Sequence, residues 1–204
     1  EVAGATATVA IIGDSHAHAI FEGFADYFAR QNLSSVLLAN SSCPMLLDVD
    51  TEESRSVQAE CEKKKRQILS FLKNSSNIRK VVIANRGLYY IRRHGYGPAE
   101  PQPVIGIQSR RPDTKHLSPE DLFQHGMQTL LDALAAKSFD IYYFFQVPEI
   151  GLPPDQCVPR VSYLQRTSCR RSIENVLSEQ SRYRGAIQRL RGLKGVIDPY
   201  PEVC

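Results

Sequence analysis

Residues 9–24 read VAIIGDSHAHAIFEGF, and the fold turns on this stretch. Its first part is a run of small apolar residues without polar alternation, as in a strand buried on both faces. The run ends in Gly13-Asp14-Ser15-His16, after which Ala17, Ile20, Phe21, Phe24 and Phe28 recur at three- and four-residue spacing. That spacing predicts an amphipathic helix over 16–31, fed by a strand over 7–12. In open parallel sheets, ligands bind beyond the carboxyl ends of the strands. Ser15 falls at that edge. Gly13 permits the tight turn, and the N–H groups and dipole of the following helix favour negative charge there. Two readings stay open: Ser15 is a nucleophile, or Asp14 and Ser15 merely cap the helix. His16 adjoins Ser15 and diverges from it on a helix, so it is not placed to act as its base.

Outward from this stretch the pattern repeats. Strands are expected at 34–40 (SSVLLAN), 80–85 (KVVIAN), 141–147 (IYYFFQV) and 195–200 (GVIDPY). Between them lie helical patterns at 55–73, at 118–134 and at 171–191. The last of these carries Ile173, Val176, Leu177, Ile187 and Leu190 as its inward face. Ser118-Pro119-Glu120-Asp121 supplies a cap, a first-turn proline and two acids at a helix start. Prolines and glycines crowd the stretch 87–112, which reads as a long irregular loop. Alternating strands and helices predict an α/β fold, a three-layer α/β/α sandwich on a five-stranded parallel sheet.

Composition narrows the function classes. A net charge of +3 over 204 residues is too small to imply nucleic acid. The basic clusters, Lys63–Arg66 among them, read as solvated faces, and no apolar run is long enough to span a bilayer. The five cysteines form no CxxC, so no metal site is expected. Cys43 with Cys61, and Cys157 with Cys169, would each close a short polar loop. That pairing implies an oxidising compartment; five reduced thiols in a cytosolic protein is the alternative. Cys204 is left over. With no initiator Met at Glu1, the chain reads as a processed protein or an excised domain.

IIGDSHA (11–17) resembles the opening motif of the SGNH (GDSL-like) hydrolase superfamily. NSSCP (40–44), VVIANRGLYY (81–90), FFQVPEIG (144–151) and VIDPYPEVC (196–204) narrow the likeness. Together they resemble the SGNH domain joined to family-three membrane acyltransferases, in order along nearly the whole chain. The resemblance implies a flavodoxin-like sheet with Ser15 as nucleophile, the backbone near Ser42 as an oxyanion donor and Asn85 close to the family's donor asparagine. Arg86 would replace that donor or bind an anionic sugar.

The superfamily carries its Asp-x-x-His after the last strand. The resemblance therefore implies that residues 1–204 are one domain whose dyad lies beyond Cys204. Asp113 and His116, in DTKHLS, have the right spacing but follow the third strand. The implied function is transfer of an acyl group, with acetyl expected, to hydroxyls of a bacterial envelope polysaccharide, at the periplasmic face. The membrane-embedded acyltransferase domain of the same chain would be the partner and supply the acyl donor, with no cofactor in this domain. A free-standing esterase is one alternative. A non-catalytic glycan-binding module, lined by Tyr89, Tyr90 and Tyr96, is the other.

Overall fold

A computed structural model describes residues 7–92, 105–149 and 171–203. Strand β1 (Val9–Gly13) leads into helix α1 (Ser15–Ala29), and β2 (Ser35–Ala39) follows. A short β3 (Val49–Thr51) precedes α2 (Arg55–Asn74). Then come β4 (Lys80–Ala84), α3 (Gly87–Arg92), β5 (Ile107–Ser109) and a 3-10 turn at Pro112–Thr114. The chain continues through α4 (Pro119–Leu134), β6 (Asp140–Phe144), α5 (Ile173–Gln188), β7 (Gly195–Ile197) and α6 (Tyr200–Val203).

Five strands form one parallel sheet in the order β2-β1-β4-β6-β7. The order reverses between β1 and β4, which makes the gap beyond their carboxyl ends the topological switch point. Register fixes the level of that rim. Gly13 pairs with Ala39 on one side and Ala84 on the other, so three chains leave the sheet side by side.

Alternate strand residues face opposite layers. Val9, Ile11, Val82 and Ala84 pack against α1 through Ala17 and Phe28. Ala10, Ile12, Val81, Ile83, Ile141 and Tyr143 face the larger layer of α2, α4 and α5. Both faces are thus apolar, as the continuous hydrophobic runs require, and the expected three-layer α/β/α arrangement is present.

Four sequence expectations need correction. The stretch 87–112 holds a helix and a strand: α3 buries Leu88, Tyr90 and Ile91, and β5 pairs antiparallel with β3. Gly87 begins the helix there and breaks nothing; a Cβ at Gly87 would lie 2.2 Å from the Tyr183 ring, so close packing demands the glycine. The strand expected at 34–40 needs no change beyond its ends, but that expected at 195–200 gives way after Ile197 to the short helix α6.

In α5, Ile173 and Leu177 are exposed; Val176, Gln180, Tyr183 and Ile187 form the inward stripe. Finally, Lys65 does not belong to a solvated cluster. It lies on the inner stripe of α2 with Cys61, Ile68 and Leu72, 1% exposed, and donates from Nζ to the Val49 carbonyl at 2.7 Å. Burial lowers its pKa to about 8.

Candidate active site

The turn carrying Ser15 is built by its two predecessors. Gly13 has φ +150°, and a Cβ there would stand 1.8 Å from the Ala84 carbonyl oxygen. Only glycine lets β1 pass β4 this closely at the rim. Asp14, fully buried, caps α1: its Oδ1 accepts the His16 N–H at 2.8 Å. Its Oδ2 accepts the Arg86 N–H at 2.8 Å and the Tyr90 hydroxyl at 3.0 Å. A buried carboxylate is tolerated because three donors replace its water.

Ser15 is therefore released from capping. It is exposed, and its hydroxyl makes no hydrogen bond among the described residues. His16 stands with Nδ1 3.8 Å from Asp14 Oδ1. Burial holds its pKa below the ordinary value, with the Asp14 charge pulling the other way. His18 is exposed on α1.

The loop after β2 reaches the same rim. Asn40 donates its N–H to Gly13 O at 3.2 Å, and the Cys43 N–H turns back to Asn40 O at 3.1 Å. Between them Ser42, exposed, has φ +57°, the left-handed region that favours glycine. Cys43 and Cys61 form a disulfide that joins this loop to α2. Asn85, at the end of β4, was expected to offer its amide at the rim. It is instead 1% exposed: Oδ1 accepts the Met45 N–H at 3.1 Å and Nδ2 faces Met127 Sδ at 3.8 Å.

Arg86 follows at once. Its Nε donates to Glu149 Oε1 at 2.8 Å, and its guanidinium lies 4.4 Å from the Tyr89 ring centroid. Gln146, 1% exposed, donates to the same Glu149 oxygen at 2.8 Å and accepts the Leu88 N–H at 3.1 Å. The loops after β4 and β6 are thus locked together. Glu149 and Gln146 were missed as site residues from the sequence; the available signal was a carboxamide and a carboxylate straight after an apolar strand.

The remaining expectations fall elsewhere. Asp113 is exposed in the 3-10 turn, where Arg111 binds it and holds its carboxyl below the usual range. His116 is exposed nearby. Both follow β5, in the two-stranded sheet, and neither is on a loop that leaves the parallel sheet. Tyr90 is buried with its hydroxyl on Asp14, and burial, then the Asp14 charge, raises its pKa well above the usual value. It offers no open face to a sugar. Tyr96, Cys157 and Cys169 lie outside the described residues. No cluster of three or more metal-ligating side chains occurs among the described residues. Nor is any described helix long and apolar enough to cross a membrane.

Comparison with known proteins returns one family and one fold relative of note. Residues 2–204 match the family described as SGNH domain (fused to AT3 domains). No curated protein sequence matches. Among solved structures, the periplasmic domain of a lipopolysaccharide acetyltransferase from Salmonella ser. Paratyphi A aligns with a TM-score of 0.58 at 15% identity, over 98% of this chain and 69% of that one. At that identity the likeness is one of fold.

Proposed function

We propose, since the chain belongs to the family of SGNH domains fused to AT3 domains, that it is a serine-dependent O-acyltransferase domain acting on a cell-envelope polysaccharide. The observation that carries the reading is the division of labour between neighbours: Asp14 caps the helix and Ser15, beside it, stands exposed at the switch point.

Ser15 Oγ attacks the acyl carbonyl of a donor. Its proton passes to a base, and the carbonyl oxygen takes the negative charge. The backbone N–H groups of Ser15 and Ser42 would receive that oxyanion, the next N–H groups of α1 being taken up by Asp14. Collapse expels the leaving group, which takes the proton and leaves an ester on Ser15. A sugar hydroxyl then attacks this ester by the same steps in reverse, so that serine is restored and the sugar is acylated. Acetyl is the acyl group we favour. The donor would be delivered by the membrane-embedded AT3 domain, on the periplasmic side of the inner membrane.

Asp113 and His116 do not suit the role of base, since Arg111 occupies the carboxylate and the pair leaves the smaller sheet. This reading assigns the base to residues that follow β7 in the family pattern. Arg86, fixed between Glu149 and Tyr89, is the cation we assign to recognition of the acceptor. Ser15→Ala in the full protein tests the proposal: acetyl transfer and p-nitrophenyl acetate hydrolysis should both be lost, and unchanged turnover would refute it.

A further inference from the structure

Resting on that acyl-transfer reading, we propose that Asn85 and the Cys43–Cys61 disulfide are positioning residues that jointly aim the Ser42 N–H at the developing oxyanion, Asn85 itself touching neither substrate nor intermediate. A non-glycine residue at φ +57° persists only where its surroundings over-determine it. Here the restraints lie just past Ser42. Cys43 (3% exposed) is bonded to Cys61 (4%) on α2, and Met45 (1%) gives its N–H to Asn85 (1%). On the near side Asn40 is tied to Gly13 O. The anchors are buried, and the donor they aim is exposed.

Asn85 and Arg86 divide a second task. β2 and β4 flank β1, so the loop after β2 and the loop after β4 lie on either side of Ser15. The Asn85 side chain grips the first of these loops through Met45, while the Arg86 N–H grips the Ser15 turn through Asp14. Two consecutive residues thereby fix the distance between nucleophile and oxyanion donor. The placement of Nδ2 against the Met127 sulfur argues the same way, since the amide is engaged inside the core and the residue is 1% exposed. Misplacement of reacting groups by about 1 Å costs on the order of a hundredfold in rate.

The test uses the full protein with p-nitrophenyl acetate and four variants: Asn85→Ala, Cys43→Ala with Cys61→Ala, all three together, and Ser15→Ala. Asn85→Ala and the cysteine pair should each lower kcat by roughly ten- to a hundredfold with KM within about twofold. Combined, they should cost little more than the worse of the two, because both loosen one loop. Deuterium exchange at the Met45 amide should quicken in Asn85→Ala.

Losses that multiply would overturn the inference. So would a large fall in kcat with Met45 exchange unchanged, which would make Asn85 a direct donor. If Asn85→Ala does not fold, Asn85→Ser is read by the same two measurements. Turnover retained by Ser15→Ala would overturn the acyl-transfer reading and this inference with it. Ser15-dependent turnover with multiplying losses would overturn this inference alone.

Discussion

The Asp14 carboxylate accepts the Arg86 backbone N–H at 2.8 Å, seventy-two residues along the chain, and so fastens the Ser15 turn to the start of the β4 loop. The same oxygen takes the Tyr90 hydroxyl. A buried charge held by three donors loses stability with each donor that is removed.

Tyr90→Phe removes one of them and changes little else in volume. It should destabilise the fold by about 1.5–3 kcal/mol, the range for a hydrogen bond to a charged group. Asp14→Ala strands an N–H on His16, an N–H on Arg86 and a buried hydroxyl, and should cost about 3–5 kcal/mol. Urea unfolding at neutral pH measures both. Equal effects from the two variants would show that Tyr90 is the only partner that matters.

Gly13→Ala should be the most damaging added methyl among the glycines whose surroundings the structure describes. Its Cβ would sit 1.8 Å from a backbone oxygen in the central strand pair, at a φ that side chains rarely adopt. We expect no soluble folded protein at 37 °C. A variant with a normal melting curve would contradict the close approach of β1 to β4.

Ser42→Gly should do the opposite. Removing the side chain relieves a left-handed residue worth about 1 kcal/mol, and the backbone N–H is kept. The melting temperature should rise by a few degrees while kcat is retained, as read by calorimetry and by p-nitrophenyl acetate hydrolysis. Lost activity would place the Ser42 side chain in the chemistry.

Lys65 gives a pH signature. Burial lowers its pKa from 10.5 to about 8 in the folded chain, while the unfolded chain keeps the higher value. Below pH 8 the ammonium is charged in both states and the full burial penalty applies. Between pH 8 and 10.5 the folded protein has released a proton that the unfolded one retains, so stability rises with pH across this window. The rise attributable to Lys65 is on the order of 3 kcal/mol at its upper end. Lys65→Met should flatten it, as the difference between the two proteins' unfolding free energies at pH 7.5, 9 and 10 will reveal. Parallel curves would mean that the ammonium is hydrated.

Much of this architecture was legible in the sequence because its signals are local. Unbroken apolar runs such as VAII and VVIA have one stable home, a sheet covered on both faces. The helix start at Ser118 announces itself by its cap. The three-residue strands β3 and β5 carry no periodicity to read, and Gly87 looked like a breaker because its reason, the Tyr183 ring, comes ninety-six residues later. Lys65 was unreadable for a similar cause: its partner is a carbonyl on another element. At the site, Ser15 was visible from its motif. What the sequence could not show is that Asp14 relieves Ser15 of capping, or that Asn85 turns inward to Met45. The first is a choice between two adjacent cap residues that the sequence leaves open, and the second depends on a contact forty residues away.

The most direct trial of the central claim is covalent. The full protein, treated with a fluorophosphonate and digested for mass spectrometry, should carry the label on Ser15, and Ser15→Ala should carry none. Stoichiometric label on another residue, or a Ser15 that stays unmodified while the protein still transfers acyl groups, would contradict it.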